Sequence, residues 1–241
     1  MDGHSAINDT ARALFAPLGG DYDRWAAILS FAQDPRWRRF LIEHVPVGPD
    51  ARVLDVATGT GAIARGLVRR YGCRVVGLDQ SPQMLEGARE RIGKAGLSDR
   101  IELRLGSAEE VDLGEASFDA LTSGYLLRYV DDPLATMTDL LRLVKPGGPF
   151  ALLDFSVPPN LAARGLWHLY TGVGLPVLGR LVSPGWAEVG RYLRPSISAF
   201  DKTYPPPALR ELLTEAGGAN VNTRQLSLGG GLVAWGVRAV R

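Results

Sequence analysis

Residues 51–61, ARVLDVATGTG, constrain this 241-residue chain more than any other stretch. They read as a short buried strand, Val53 to Val56, running into a glycine-rich turn and then a helix over Ala62–Arg70. Gly59 and Gly61 carry no Cβ, so the backbone there can turn tightly and approach a bound molecule closely. A helix beginning at such a turn aims free N–H groups at whatever sits above it. Asp55 ends the strand with a carboxylate where a purely structural buried strand would place another Val or Ile.

The spacing Gly59-x-Gly61-x-x-Ala64 also satisfies the dinucleotide pattern G-x-G-x-x-G/A. Asp79 closes a second strand, RVVGLD, twenty residues after Gly59, where the ribose of either kind of cofactor would need an acceptor. Asp55 tilts the choice, because a carboxylate beside the loop would crowd a pyrophosphate and suits a cation. S-adenosylmethionine, a sulfonium with no phosphates, is the cofactor expected on these residues, with a nicotinamide dinucleotide as the alternative.

Hydrophobic residues make up 46% of the chain and charged residues 22%, enough apolar surface for one large domain or a domain with a sub-domain. A net charge of +1 gives no overall field for nucleic acid. The basic run Arg36, Arg38, Arg39 reads as a solvated helix face. The single cysteine, Cys73, excludes an internal disulfide and a cysteine-based zinc site, and three scattered histidines offer no ligand set, so no metal is expected. The lone cysteine points to a reducing cytoplasm, and the N-terminus shows no apolar run behind positive charge, so no signal peptide is expected.

Along the chain, residues 1–20 are expected to fray. Residues 21–45 carry apolar residues at helical spacings, with Pro35 expected to start a second helix after Asp34. A strict alternation follows: strand 53–57, helix 62–70, strand 74–79, helix 82–93 with Ser81 as N-cap, strands 101–105 and 118–123, helix 133–143, the turn KPGG, and strand 149–155. This alternation predicts an α/β fold, a Rossmann-like doubly wound sheet that is mostly parallel. Ligands on such sheets sit beyond the carboxyl ends of the strands, and Asp55, Asp79, Ser107, Gly124 and Asp154 fall there. Residues 158–203 hold no clear strand but many apolar residues, and are expected to form a helical lid that walls a substrate pocket. Helix 207–216 and strands 220–227 and 230–240 then end the chain in a hairpin that adds a reversed strand. The expected segments are 1–50, a helical cap; 51–157, the cofactor-binding core; 158–203, the lid; and 204–241, the closing helix and hairpin.

This order resembles the class I S-adenosylmethionine-dependent methyltransferases, and more closely the ubiquinone/menaquinone biosynthesis C-methyltransferase family. The resemblance runs from about Phe15 to Trp235 through YDRWAAILSFAQDPRWRR (22–39), VLDVATGTGAIA (53–64), LLRYVDD (126–132), LRLVKPGGPFALLDFSVP (141–158), RYLRPSI (191–197) and GGGLVAWG (229–236). Three positions depart from the family pattern. Tyr129 follows Arg128 where the family has asparagine, Pro195 replaces a glutamate, and Ser107 stands where an aspartate or asparagine would bond adenine.

The resemblance implies a methyltransferase acting on a demethylated prenyl quinol, a small apolar acceptor. Asp79 would accept from both ribose hydroxyls, with Gln80 beside it. Asp55, Thr58, Gly59, Thr60 and Gly61 would hold the methionine moiety, with capping of a nearby turn as the lesser alternative for Asp55. Met84 would pack on adenine or ribose, Ser107 and Ala108 would contact adenine, and Gly124 would leave room for the cofactor. Arg128 would stabilise the developing phenolate, with Tyr22 and Tyr129 orienting the hydroxyl and His168 a candidate base. Such an acceptor implies peripheral membrane contact through the lid and the Trp25/Trp37 helices, and the chain is compatible with a homodimer. The alternatives are a methyltransferase for a soluble small molecule and a non-catalytic subunit that binds the cofactor.

Overall fold

Five strands, β1 (Arg52–Val56), β2 (Arg74–Asp79), β3 (Ile101–Leu105), β4 (Ala120–Gly124) and β5 (Pro149–Phe155), run parallel in the computed structural model. It describes residue 14, residues 22–110 and residues 113–240. The hairpin of β6 (Gly218–Leu226) and β7 (Gly231–Arg238) completes the sheet, with β7 antiparallel to both β5 and β6. The order is β3-β2-β1-β4-β5-β7-β6, so the chain builds outward from β1 and then returns to lay β4 on its other side. That reversal between β1 and β4 opens a crevice at the strands' carboxyl ends, where doubly wound sheets take ligands.

The central strands are buried on both faces, which is why they read as nearly continuous apolar runs. The edge strand β6 alternates half-buried and exposed positions instead. Helices fill both faces. α2 (Gln33–Glu43), α3 (Ala62–Tyr71) and α4 (Pro82–Lys94) cover one side, and α5 (Pro133–Leu143) with α9 (Pro206–Glu215) covers the other. A polar residue followed by proline starts three helices. Ser81 accepts from Met84 N–H at 3.3 Å at the start of α4, and Asp132 accepts from Ala135 N–H at 3.0 Å at the start of α5. Ser183 accepts from Trp186 N–H at 3.3 Å where α8 (Pro184–Thr203) begins. Each pair supplies a cap and a φ already set for the helix.

Helices α6 (Leu161–Leu169) and α7 (Leu175–Val182), joined by a π-turn over Tyr170–Gly174, lead into α8. α7 and α8 with α1 (Tyr22–Leu29) form a third apolar cluster, apart from the two sheet cores, that includes Leu14, Leu29, Leu175, Trp186 and Val189.

Several expected boundaries move. α2 starts at Gln33, not Pro35, because Ala32 takes a left-handed φ of 59° and turns the chain before the proline. β4 starts at Ala120, and Phe118 makes only an isolated bridge to Val144. The hairpin strands begin at Gly218 and Gly231. Trp37, expected on a membrane-facing surface, is buried against Phe155 and donates to Ser227 Oγ at 2.8 Å. The expected frayed segment 1–20 lies, apart from Leu14, outside the described residues.

Candidate functional site

The loop after β1 is built from left-handed backbone. Ala57, Gly59 and Gly61 have φ of 53°, 56° and 74°. A Cβ on Gly59 would meet nothing within 4 Å, so its positive φ, together with open space above it, is what calls for glycine. Two bonds tie this loop to the end of β2. Thr58 N–H donates to Leu78 O at 3.0 Å, and Gly59 N–H donates to Asp79 Oδ2 at 2.7 Å.

Beside the loop, a cavity of about 650 Å³ opens over the carboxyl ends of β1, β2 and β4, within the usual range for a small-molecule site. Its floor holds Thr58, Gly59 and Thr60 from the loop, Asp79, Gln80 and Met84 from β2 and α4, Ser107 and Ala108 beyond β3, and Gly124. Arg128 and Tyr129, in the short turn after β4, form one wall. The opposite side is apolar: Leu29 and Phe31 after α1, then Leu166, Trp167, Tyr170 and Leu175 from α6 to α7, and Trp186, Val189 and Ile197 from α8.

Asp79 keeps a buried carboxylate in this cavity. Besides Gly59, it accepts from Ser81 N–H at 2.9 Å, and burial pushes its pKa above the ordinary carboxylate value. Asp55 does not line the cavity. It is fully buried beneath the loop, where Thr58 Oγ1 donates at 2.6 Å and Thr122 Oγ1 at 2.7 Å. Burial pushes its pKa up to about 6, against the opposing effect of those two hydroxyls. It therefore caps the turn and braces it from below. Gly61 also lies outside the lining and serves as the left-handed N-cap of α3.

Arg128 is buried in a network that crosses three elements. Its Nε donates to Asp154 Oδ1 at 2.5 Å, and its Nη1 donates to Tyr129 Oη and to Ser196 Oγ, each at 3.3 Å. Among the described residues no hydrogen bond reaches Nη2. Burial lifts the Tyr129 hydroxyl above its ordinary pKa despite the neighbouring guanidinium, so at neutral pH it stays a donor. His168 does not line the cavity; its Nδ1 is buried without a hydrogen-bond partner among the described residues, and its ring packs edge-on to Trp167 at 5.0 Å. Tyr22 begins α1, and its side chain lies outside the described ones.

Residues that the sequence reading passed over also shape the site. Asp23 on α1 accepts from Thr60 Oγ1 and from Arg65 Nη2 at 3.1 Å, with Arg91 Nε at 3.4 Å, so it fastens α1 to the glycine loop. Asp34, buried in α2, accepts from Arg38 Nε at 2.8 Å and from Tyr125 Oη at 2.7 Å. The Asp-x-x-x-Arg spacing of Asp34 and Arg38 was a visible signal for half of that group. Nothing in the sequence marks Tyr125, which holds a left-handed φ of 62° and stacks on Phe155 at 4.6 Å.

Chemically, the cavity's two arginines, Arg38 and Arg128, are each committed to an ion pair. Asp79 accepts from backbone N–H groups and, among the described residues, has no cationic side chain bonded to it. Such an edge suits a diol and a positively charged group and gives little to a pyrophosphate.

A model of the ubiE/COQ5 methyltransferase family matches residues 5–238. The Desulfotalea psychrophila ubiquinone/menaquinone biosynthesis C-methyltransferase UbiE is 33% identical over 226 residues, covering 93% of this chain and 89% of that protein. A demethylmenaquinone methyltransferase of Clavibacter sepedonicus is 36% identical over 217 residues, covering 90% and 85%. Among solved structures, Haemonchus contortus phosphoethanolamine N-methyltransferase 2 in complex with S-adenosyl-L-methionine aligns with a TM-score of 0.67 at 16% identity, over 99% of this chain and 61% of that one. An Aquifex aeolicus SAM-dependent methyltransferase aligns at 0.58 and 17% identity, over 84% and 89%. At these identities the structural matches speak to the fold alone.

Proposed function

The chain belongs to the ubiE/COQ5 methyltransferase family and is an S-adenosylmethionine-dependent methyltransferase, and from that premise we propose that it methylates a ring carbon of a demethylated prenyl quinol. The observation that carries this reading is the 650 Å³ cavity, polar and acidic along the strand ends and apolar across the facing helices. The cofactor, when bound, supplies an electrophilic methyl on a sulfonium, so the protein's part is alignment and local electrostatics.

In this reading Asp79 accepts from the ribose hydroxyls, using lone pairs left over by Gly59 and Ser81. Thr58, Gly59 and Thr60 border the methionine moiety, with Asp55 bracing them from beneath. Met84, Gln80, Ser107 and Ala108 border adenine and ribose, and Gly124 keeps the end of β4 clear. Residues 158–203 act as a lid, and residues 22–50 as a cap fastened by Asp23.

Methylation at ring carbon is helped when the adjacent hydroxyl gives its proton to solvent water, which makes that carbon nucleophilic; once methylated, the carbon sheds its own proton to water and the ring becomes aromatic again. Arg128 stays charged and is no base; it stabilises the oxyanion that forms, with Tyr129 as a second donor. The Asp154 pair holds the guanidinium in place. A prenyl tail fits the apolar side of the cavity, and an acceptor of that kind is met at a membrane surface.

Incubation with methyl-labelled cofactor and demethylated benzo- and naphthoquinols tests the assignment. Label on ring carbon is the expected result. Label appearing only on polar, non-quinol acceptors, or on oxygen, would overturn it.

A further inference from the structure

We infer that the helical rod over residues 161–182 is the face that lies on an anionic lipid bilayer and opens the cavity toward it. Leu169, Val173, Val177 and Leu181 recur at every fourth position of this rod and are 62%, 57%, 56% and 81% exposed, with Leu161 80% exposed at its start. α6 has no fully buried residue. Contiguous exposed apolar surface of this kind is rare on a protein that meets only water.

Two further observations decide the occupant. First, the patch is continuous with the mouth of the cavity. Phe31, Leu166 and Leu228 line the cavity and are still 66%, 63% and 77% exposed, and Phe31 packs on the Tyr170 ring at 5.2 Å. A ligand leaving through this mouth crosses apolar side chains. Second, residues 161–182 contain Arg164 and Arg180 and no carboxylate, in a chain whose net charge is only +1. Leucines beside arginines without acids match the acyl boundary and headgroups of an anionic bilayer. No helix among the described residues is long and apolar enough to cross a membrane, so the rod lies on the surface.

The direction of the mouth rests on the quinol reading, but the docking face does not, and it is tested without turnover. The full chain is floated with phosphatidylcholine vesicles and with vesicles mixed with phosphatidylglycerol. Wild type is expected to float with the mixed vesicles. L161Q/L169Q/L181Q, changed at three positions outside the cavity lining, loses at least about tenfold in vesicle affinity. R180E loses the preference for anionic over neutral vesicles. The triple variant keeps its thermal stabilisation by S-adenosylmethionine, which shows it is folded. Wild type left unfloated by both vesicles, or a triple variant that floats like wild type, overturns the inference. So does a wild-type dimer that the triple variant breaks in the absence of vesicle binding, since a second copy would then cover the face. Flotation by a protein that methylates no quinol upholds the docking face and removes only the acceptor.

Discussion

Asp55 shows what burial does to a charge that the fold keeps for its geometry. Its carboxyl titrates near 3.8 in the unfolded chain and is pushed up to about 6 in the folded one. Between those values the native state binds the extra proton, so stability falls as pH rises through the window and is regained on acidification. A shift of that size corresponds to about 3 kcal/mol. Asp55→Asn removes the titration, so its stability relative to wild type should climb by about that amount between pH 4 and pH 7.5 in denaturant titrations without cofactor. A flat difference would show that the folded carboxyl is ionised from pH 4 upward, as it is in the unfolded chain. Arg128→Ala makes a separate prediction from the proposed role of that residue: kcat falls about 10²–10³-fold while cofactor affinity, measured by calorimetry, is kept, since in that reading the guanidinium serves the acceptor and not the loop. The strand pattern put Asp55 at a strand end and the family resemblance singled out Arg128, which lies in the turn after β4, yet their partners were hidden. Thr122 lies 67 residues from Asp55, and Ser196 lies 68 from Arg128, so only the β1–β4 pairing and the fold of α8 over the sheet bring them together. His168 illustrates the opposite failure. The apolar, strandless run announced its helix, but the turn of the rod gives the cavity Trp167 instead.

Elements that announce themselves by local chemistry were legible. The Ser-Pro and Asp-Pro starts of α4 and α5 set their boundaries directly, and the strandless run after Asp154 did become helices. Elements placed by distant contacts were not. α1 reads only as an amphipathic segment, and its function as a strap emerges from Asp23, which joins Thr60, Arg65 and Arg91 across the glycine loop. Burial weakens the hold of Arg65 on its proton, and Asp23 offsets this. Asp23→Ala should therefore release α1 rather than unfold the protein. Hydrogen exchange is expected to quicken over residues 22–29 and 58–61, with β1 and β4 unchanged, and the total loss of stability should be about 1–2 kcal/mol, since these side chains are partly solvated. Uniform acceleration across the sheet would mean that the contact supports the whole core. The start of α2 differs on a smaller scale. Proline chemistry favoured Pro35, but the left-handed Ala32 turns the chain before it and the helix starts two residues earlier, at Gln33.

Across the whole molecule, two apolar cores grip the sheet, and a third cluster holds α1 to α7 and α8 without belonging to either. The cavity lies between that third cluster and the strand ends, so a ligand spanning it adds to the ties that Asp23, Arg128 and Asp201 already make between them. The parallel sheet and the position of the cavity followed from the alternation of strands and helices. The size of the apolar side could not, because it depends on how α6, α7 and α8 fold back. Cofactor binding should then stabilise the molecule as a unit. At one hundred times Kd, S-adenosylmethionine adds about 2.7 kcal/mol, or about 5–11 °C in Tm for a chain of this length. Asp79→Asn loses the charge that accepts from the ribose, a contact of about 1.5–3 kcal/mol, so its Kd rises about 10–100-fold. At the same cofactor concentration its shift drops to about 1–5 °C by the same relation, and approaches wild type only when more cofactor is added. NAD should move neither protein. A full shift for Asp79→Asn at the original concentration would mean that the acid at the end of β2 serves the Gly59 and Ser81 amides alone, and that the ribose is held elsewhere along the sheet edge.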